Sequence, residues 1–401
     1  MRLDQSRLKK YLGLRREFAG GDYINLNPIQ RGGILSGEAR KALVEFGDGY
    51  SICDWCPPKT PRLDLIKKPP IHDFMQDLAE FLGMDVVRVV TRCREAKFIV
   101  FHMLGKPRDY IVVDSLAHYS TYIAAEAAGL RVKEVPHSGY PEFKVNLEAY
   151  AEKIEEVKRE TGKPPVAVLL THVDSFYGNL NNASQVAKIC HEYGVPFMLN
   201  TAYTSGVMPV NGKALNVDIL VGSGHKSWAS SAPTGILALK EDLSKKILLK
   251  SSIVGDWSGR SFPIKEIPLL GCTVMGAPIV TLMASFPFVV ERVNRWDEEV
   301  KKARYLVEQL ERIEGTRQLG VKPKQHTLIH FESKGFYDVS KKHKRRGFFL
   351  YDELKERRIV GIQPGRTKHF ELNVYGLKWE QVKHVAESFL EIAKKYGLNV
   401  S

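Results

Sequence analysis

The sequence predicts an α/β protein with a large domain built on a mostly parallel sheet and a smaller C-terminal α/β domain. From about residue 84 to residue 240, apolar strand-like segments alternate with helix-like segments, as in βαβ units. Beyond about residue 275 the pattern changes, beginning with one long, charged helical stretch over residues 285–313. The 401 residues also exceed what one hydrophobic core normally serves. The predicted units are an N-terminal arm (1–60), a large domain (61–275) and a small domain (276–401).

The elements of the large domain are predicted from apolar patterning and from residues that end helices. Residues 165–171 are apolar on both faces, as strands buried inside a parallel sheet are. The helical pattern over residues 182–193 is followed by Gly194, a residue type that commonly ends a helix. The predicted strands are residues 84–90, 109–114, 165–171, 195–200 and 217–222, and the predicted helices are residues 94–104, a segment ending at 128, and 182–193.

The same signals predict the small domain. Its last helix carries Val382, Val385, Phe389 and Ile392 at spacings of three and four residues, which places them on one face. Strands are predicted at residues 327–332 and 370–374, and a further helix at residues 348–358. Ligands of parallel sheets bind beyond the carboxyl ends of the strands. The polar residues directly after each strand of the large domain are therefore the candidates for chemistry.

Charge is the most informative feature of the composition. The 59 Lys and Arg residues exceed the 46 Asp and Glu residues, giving a net charge of +13. This excess attracts polyanions such as nucleic acid, although a lysine-rich surface kept for solubility remains an alternative. With 44% hydrophobic and 26% charged residues, the composition excludes a globally disordered chain. Neither a membrane-spanning apolar stretch nor a signal peptide is recognised, so we expect a cytoplasmic protein without membrane contacts.

The strongest chemical signal is Val221-Gly-Ser-Gly-His-Lys-Ser-Trp228, which includes the end of a predicted strand. Lys226 is well placed there to form an internal Schiff base with pyridoxal 5'-phosphate, because an amine held in a partly desolvated site can be neutral and attack an aldehyde. Ser223 and His225 suit the cofactor's phosphate, and Gly224 lets backbone N–H groups approach it closely. The alternative interpretation is a simple loop leaving a strand.

Polar residues after the neighbouring strands are candidates for the same site. Asn200 lies where pyridoxal enzymes of this topology carry the residue facing the pyridine nitrogen, with Tyr203 three residues further on. Because Asn can only hydrogen-bond that nitrogen, it predicts a weaker electron sink than Asp provides, one suited to eliminations and additions. Arg94 lies near a helix start, where free N–H groups bind phosphate. The remaining candidates are His118, placed to stack on the cofactor ring, His172 and Asp174. A turn amide for Asn200 and a surface histidine for His118 remain alternatives.

The cysteines form a second signal. The chain has five, and an odd number in a protein expected in the cytosol argues against a disulfide framework. Cys53-Asp-Trp-Cys56 lacks the second pair that a structural zinc site normally has. Three interpretations remain open: a redox or persulfide-carrying pair, a three-cysteine iron–sulfur site completed by Cys272, and incidental thiols.

Two basic features point to anionic ligands. Lys341-Lys-His-Lys-Arg-Arg346 places five basic residues and a histidine in six positions, a density that suits a phosphate backbone. Lys344, Arg345 and Arg346 are therefore candidate nucleic-acid contacts, with an exposed surface loop as the alternative. Arg366 is placed like the arginine that clamps an anionic group of the substrate in pyridoxal enzymes.

Taken together, these residues resemble the archaeal O-phosphoseryl-tRNA:cysteinyl-tRNA synthase family over essentially the whole chain, and cysteine desulfurases more loosely. The phrases that carry the resemblance are Asn25-Leu-Asn-Pro-Ile-Gln-Arg-Gly-Gly33, the Cys53 and Cys56 pair, Arg94-Glu-Ala-Lys97, Asn200-Thr-Ala-Tyr203 and Gly222-Ser-Gly-His-Lys226. The resemblance implies a homodimeric fold-type-I pyridoxal phosphate enzyme, a transferase. It would convert O-phosphoseryl-tRNA(Cys) to cysteinyl-tRNA(Cys) by β-elimination of phosphate and addition of sulfide.

The resemblance also implies roles for individual residues. Lys226 would hold the cofactor, while Cys53, Cys56 and Cys272 would handle sulfur, as persulfide or as candidate iron–sulfur ligands. Cofactor contacts are implied for Cys93, Arg94, Asn200, Ser223, Gly224 and His225. The expected partners are the tRNA, a sulfide donor, a second copy of the chain and a phosphoseryl-tRNA synthetase. Two competing functions are a cysteine desulfurase and a non-catalytic tRNA-binding protein on the same scaffold.

Overall fold

The computed structural model describes residues 9–14, 23–48, 51–52, 71–269 and 274–401. Three residues predicted to handle sulfur, Cys53, Cys56 and Cys272, lie outside the described residues. The arm predicted over residues 1–60 is therefore described only in part.

A seven-stranded sheet forms the centre of the large domain. In chain order its strands are β1 (Val86–Val90), β2 (Tyr110–Asp114), β3 (Arg131–Val135), β4 (Ala167–Thr171), β5 (Phe197–Asn200), β6 (Ile219–Ser223) and β7 (Gly235–Leu239). Their order across the sheet is β1-β7-β6-β5-β4-β2-β3. Within this sheet only β7 runs against its neighbours, β1 and β6. The prediction of a mostly parallel sheet is confirmed.

The strand directions bring six carboxyl ends, those of β1 to β6, to one edge of the sheet. In register, Thr171 pairs with Asn200, and Asn200 pairs with Val221. Ser223, the last residue of β6, pairs with Gly235, the first residue of β7. The segments that follow these strands therefore meet at the edge where parallel sheets bind ligands.

Helices cover both faces of the sheet and also build the small domain. They are α1 (Gly37–Glu45), α2 (Ile71–Leu82), α3 (Cys93–Leu104), α4 (Tyr119–Ala127), α5 (Ala149–Thr161), α6 (Ala183–Glu192), α7 (Gly212–Leu215), α8 (Gly224–Ser227), α9 (Glu241–Ile247), α10 (Gly276–Val293), α11 (Trp296–Glu311), α12 (Lys334–Lys342), α13 (Phe348–Glu356) and α14 (Trp379–Lys395). Short 3-10 turns lie at Lys9–Tyr11, Arg31–Gly33 and Ile267–Leu269.

Two apolar clusters sandwich the large sheet. Leu170 and Leu199 join a cluster with α2, α5, α6 and α10, whereas the adjacent Leu169 and Met198 join a cluster with α3, α4 and α9. This alternation follows from the two-residue period of a strand, which sends successive side chains to opposite faces. Every residue of β4, β5 and β6 is buried, which explains the uninterrupted apolar runs in the sequence.

The small domain has its own sheet and core. The strands β8 (Thr316–Leu319), β9 (Leu328–Ser333) and β10 (His369–Asn373) are antiparallel, with β9 in the centre. A third apolar cluster packs α11, α13 and α14 with this sheet. In α14, the four residues predicted to share one face are all buried in this cluster.

The N-terminal segment, residues 23–48, contacts both domains. Ile24–Asn25 pairs in parallel with Ile359–Val360, and Leu26 joins the small-domain cluster. Further along, α1 packs against α10 of the large cluster. A two-residue antiparallel pairing also joins Ser51–Ile52 to Val274–Met275.

The single helical stretch predicted over residues 285–313 is corrected to two helices, α10 and α11. Arg295 lies between them with φ −100° and ψ 16°, which interrupts the helical path. The break has a packing reason, because α10 packs into the large-domain cluster while most of the apolar face of α11 packs into the small-domain cluster. By length and composition α10 would pass as a membrane span, but half of it is buried, as in a core helix.

Candidate active site

Lys226 lies at the carboxyl edge of the sheet, in the short helix α8 that directly follows β6. Its Nζ donates a hydrogen bond of 3.2 Å to the Tyr203 hydroxyl and lies 4.5 Å from the centre of that ring. The lysine is half-buried and lines two adjoining cavities, an inner one and an outer one. An amine at the base of a cleft is what condensation with an aldehyde requires.

The inner cavity, of about 350 Å³, has a strongly positive lining. Four cationic side chains line it, namely Arg92, Arg94, Lys97 and Lys226. Among the described residues around this cavity, none carries a carboxylate. Concentrated positive charge in a recess attracts anionic ligands. Size and charge together suit a phosphate-bearing cofactor.

One end of the inner cavity carries hydrogen-bond donors that suit an anion. Helix α3 begins there, and no side chain caps its first backbone N–H groups. Arg94 donates from Nη2 to the Tyr119 hydroxyl over 2.8 Å, while its Nε is buried without a hydrogen-bond partner in the described part of the chain. Ser223 and His225 line the same cavity. An uncapped helix start and an unpaired guanidinium N–H both fit a phosphate group.

Asn200 lies buried at the end of β5 with its carbonyl oxygen already occupied. Its Oδ1 accepts the backbone N–H of Ala202 over 3.2 Å and the Cys93 thiol over 3.6 Å. Burial raises the pKa of Cys93 despite the nearby charges of Lys97 and Lys226. The amide nitrogen of Asn200 has no hydrogen-bond partner among the described residues, so it is left to donate to a ligand.

His118 and Lys97 line the inner cavity on the side of α4. His118 Nδ1 accepts the backbone N–H of Ser120 over 3.2 Å. Burial, with the charges of Lys226 and Lys97, lowers the pKa of His118 to about 4, so its ring is neutral at neutral pH. Lys97 is almost fully buried, and its Nζ donates to the hydroxyls of Ser120 and Thr121 over 2.8 and 2.9 Å. The neutral imidazole is compatible with the predicted ring stacking.

Three predicted residues do not line the inner cavity. The buried carboxylate of Asp174 accepts three backbone N–H groups within residues 176–179 and so closes a turn. His172 is buried, and burial lowers its pKa to about 4. Gly224 packs against Thr234, whose side chain would lie 2.7 Å from an added Cβ. These three residues therefore lie outside the lining of the inner cavity.

Two glycines allow backbone segments to meet closely around Lys226. A Cβ at Gly33 would lie 2.0 Å from the His225 carbonyl oxygen. A Cβ at Gly235 would lie 2.3 Å from the carbonyl carbon of Arg92, where α3 begins. Any side chain at either position would push the N-terminal segment or the start of α3 away from the site.

Arg292 holds the backbone next to Lys226 in place through hydrogen bonds. The sequence analysis did not identify this residue, because nothing in the sequence distinguishes it from the other basic residues of that helical stretch. Its buried guanidinium donates to the carbonyl oxygens of Gly32, Gly206 and Ser227, the last over 2.5 Å. Ser227 directly follows Lys226 in the chain. One side chain therefore fixes the N-terminal segment, the loop after β5 and the segment that carries Lys226.

The outer cavity, of about 810 Å³, opens from Lys226 toward the small domain. The N-terminal segment, the large domain and the small domain all contribute to its lining. Arg366 lines it together with Glu371 and Lys226. Tertiary structure thus brings the predicted anion-binding arginine into the same cavity as the lysine, 140 residues away in the sequence.

The basic run at residues 341–346 continues from α12 into an exposed turn before α13. Arg345 in this turn forms an ion pair of 2.8 Å with Asp352, whereas Lys344 and Arg346 are exposed. Gly347 packs so closely on Gly365 that an added Cβ would lie 2.2 Å from the Gly365 oxygen. The basic turn therefore adjoins the loop that carries Arg366.

Solved structures place this fold in a known class. A cysteine desulfurase from Thermococcus onnurineus NA1 shares the fold with a TM-score of 0.68 at 18% identity, over 92% of this chain and 95% of that chain. A crystal structure of a SepCysS–SepCysE N-terminal domain complex matches with a TM-score of 0.88 at 53% identity, over 97% of this chain and 99% of that chain. The fold is that of a fold-type-I pyridoxal phosphate enzyme.

Sequence comparisons identify the family. The family model described as O-phosphoseryl-tRNA(Sec) selenium transferase, SepSecS, matches residues 73–400. The chain belongs to the family of O-phospho-L-seryl-tRNA:Cys-tRNA synthases. Relatives of that name from Methanopyrus kandleri and Archaeoglobus fulgidus are 56% and 55% identical over 394 residues, which is 98% of this chain and 100% and 99% of theirs. The predicted family is confirmed, and these findings do not support a desulfurase or a non-catalytic protein.

Proposed function

We propose that this protein converts O-phosphoseryl-tRNA(Cys) to cysteinyl-tRNA(Cys) with pyridoxal phosphate as its cofactor. The observation that carries the proposal is Lys226 at the junction of the two cavities. The inner cavity has the charge for a phosphate-bearing cofactor, and the outer cavity has room for the aminoacyl end of a tRNA. The family's name describes this substrate and this product.

The residues around the inner cavity fit the cofactor. Arg94, Ser223, His225 and the start of α3 would hold its phosphate, because an anion there gains charge-assisted hydrogen bonds. The neutral ring of His118 would lie against the pyridine ring. The free N–H of Asn200 would donate to the pyridine nitrogen, which favours an unprotonated ring. When bound, pyridoxal phosphate supplies an electron sink for the substrate's α-carbon.

Lys226 has a second role as the group that moves a proton. Its Nζ, held by the Tyr203 hydroxyl, would take the proton from the substrate's α-carbon while phosphate leaves the β-carbon with the bonding electron pair. Sulfide then forms a bond to the β-carbon, and the proton returns to the α-carbon. Phosphate is a good leaving group, so the weaker sink given by Asn200 is sufficient.

Sulfur delivery is assigned to Cys53, Cys56 and Cys272, which would carry it as persulfide or as ligands of an iron–sulfur cluster. This assignment rests on the sequence, because these residues lie outside the described residues. Among the described residues, no group of three or more His, Cys, Asp or Glu side chains is arranged to hold a metal ion. A cluster would take up external sulfide without a change of oxidation state. A persulfide would instead be loaded by a donor of sulfane sulfur, and it would release its outer sulfur as sulfide when a second cysteine thiol attacks the inner sulfur, leaving a disulfide that a dithiol reductant reopens.

The test of the function is a reconstitution under anaerobic conditions. Holoenzyme, O-phosphoseryl-tRNA(Cys) and sulfide are expected to give cysteinyl-tRNA(Cys) and inorganic phosphate in equal amounts. Release of alanine from free cysteine, without turnover of the phosphoseryl-tRNA, would instead identify a cysteine desulfurase. A colourless protein that borohydride does not modify, but that binds tRNA, would identify a non-catalytic binder.

The exposed basic turn is proposed to bind the tRNA backbone. Changing Lys344, Arg345 and Arg346 to Gln should weaken tRNA binding and flatten the salt dependence of its dissociation constant. We expect the slope of log K against log salt to fall by about two, at just under one unit per phosphate contact. We count two phosphate contacts for the three residues, because Arg345 is already paired with Asp352.

The matched control for this prediction is a double change of Lys158 and Arg159 to Gln on the exposed face of α5. It removes charge from a surface away from the basic turn and should leave the salt slope unaltered. An equal loss of slope in both variants would mean that the turn is no specific RNA contact.

Three further assignments complete the proposal. We propose a homodimer, which is supported by the apolar side chains exposed in residues 249–267, above all Trp257 at 94% exposure. We also propose a cytoplasmic location, since aminoacyl-tRNA is the substrate. The tRNA would arrive from a phosphoseryl-tRNA synthetase, because that class of reaction supplies the phosphoseryl ester.

A further inference from the structure

The outer cavity contains a single carboxylate among its described lining residues, Glu371. The cations in the same lining are Arg366 and Lys226. Three histidines also line it, and burial lowers the pKa of His118 and His330 to about 4 and lowers that of His369. Since Lys226 holds the cofactor in the proposed function, Arg366 is the cation of this lining that acts on Glu371, and the neutral imidazoles add no positive charge.

Glu371 is fixed in place by β10, where it pairs in register with His330 of β9. Its Oε1 lies 3.7 Å from His330 Nδ1, but that nitrogen is hydrogen-bonded to the Phe176 carbonyl oxygen over 2.9 Å. Because a neutral His330 donates its one N–H to Phe176, it does not neutralise the carboxylate. The side chain of Glu371 remains 38% exposed at the cavity.

Burial raises the pKa of the Glu371 carboxyl group, and the nearby charge of Arg366 offsets part of that rise. An arginine that clamps the α-carboxylate of a free amino acid needs its positive charge uncompensated. Here a carboxylate already shares the cavity with it. A free amino acid would bring a second carboxylate next to Glu371, whereas an amino acid esterified to tRNA brings none.

We propose that Glu371 is a specificity-determining residue that admits an amino acid esterified at its carboxyl group and rejects the free amino acid. The inference rests on the proposed function, in which the substrate is a phosphoseryl ester. Its physical basis is repulsion between Glu371 and a free α-carboxylate, with Arg366 offsetting part of that repulsion. Nothing in the sequence around Glu371 indicated this role.

The test compares two small substrates that differ in that one charge, O-phospho-L-serine and its methyl ester. Holoenzyme and sulfide are supplied, and kcat/KM is measured from phosphate release. The wild-type enzyme should prefer the ester. Glu371→Gln should lower this preference by about tenfold, the size expected for one like-charge contact at a partly solvated site.

Two companion variants separate this effect from damage to the fold. Arg366→Gln removes the offsetting cation and should raise the preference for the ester, a change that a misfolded site would not produce. Glu332→Gln alters a carboxylate of β9, the strand next to the one that carries Glu371. This carboxylate is hydrogen-bonded to Tyr140 and Arg317 and lies outside the cavity lining. It should leave the preference as in the wild type.

The outcomes distinguish the inference from the function on which it rests. Failure of the wild-type holoenzyme to convert O-phosphoseryl-tRNA would overturn the proposed function itself. Normal conversion of the tRNA together with an unchanged preference in Glu371→Gln would overturn the inference alone. An equal decrease in Glu332→Gln and Glu371→Gln would also overturn it, because the effect would then be a general change of surface charge.

Discussion

Changing Lys226 to Ala is expected to lower kcat for O-phosphoseryl-tRNA by at least about a thousandfold, because one amine both holds the cofactor and moves the α-proton. Lys226 lies beside Tyr203 and lines both cavities, and no other described lysine lines both. Borohydride treatment followed by intact-protein mass spectrometry should show the pyridoxyl adduct in the wild type and no adduct in the variant.

The matched control is Lys226→Arg, which keeps the positive charge in the cavity. A guanidinium stays protonated and cannot condense with an aldehyde, so this variant should lose the adduct and the activity as well. Both variants should bind tRNA as the wild type does, since the basic turn is untouched. An adduct or turnover that survives in Lys226→Ala would remove the basis of the mechanism.

Changing Cys53, Cys56 or Cys272 to Ser is expected to stop the formation of cysteinyl-tRNA while cofactor binding stays intact. A serine hydroxyl can neither carry persulfide sulfur nor serve as a thiolate ligand of a cluster. The measurements are cofactor absorbance, which should persist, and cysteine attached to tRNA, which should disappear. Assays of iron and acid-labile sulfide on anaerobically purified protein then distinguish a cluster from a persulfide.

Cys190 provides the control for the cysteine variants. It is fully buried in the large-domain core, outside both cavities, and burial raises the pKa of its thiol. Cys190→Ala should therefore keep sulfur transfer, with some loss of stability from the missing side chain. Full activity in a variant lacking all three predicted sulfur carriers would refute their role.

Local patterns were sufficient to predict much of the large domain. Residues 165–171, 195–200 and 217–222 were predicted as strands, and the structure has β4, β5 and β6 there with ends shifted by at most two residues. Continuous apolar runs mark such strands because both faces of a parallel sheet are buried. The helix predicted from residue 94 begins at Cys93 as α3, and Gly194 correctly predicted the end of α6 at Glu192.

The ends of strands gave the clearest predictions of residues in the candidate site. Asn200, Ser223 and Lys226 were identified in this way, and all three line the inner cavity. The same reasoning selected Asp174, yet its carboxylate closes a turn behind the cavity. Strand ends indicate which edge of the sheet carries polar residues, but not which way each side chain points.

By itself the sequence determined the alternation of strands and helices, the lysine after the strand at residues 217–222 and the positive charge. Each of these can be recognised without knowing which distant segments meet. Only the tertiary structure decided that Arg292 holds the backbone beside Lys226 and that Glu371 shares a cavity with Arg366. These relations join segments far apart in the chain. They depend on how two separately packed cores meet, and no local pattern of residues records that arrangement.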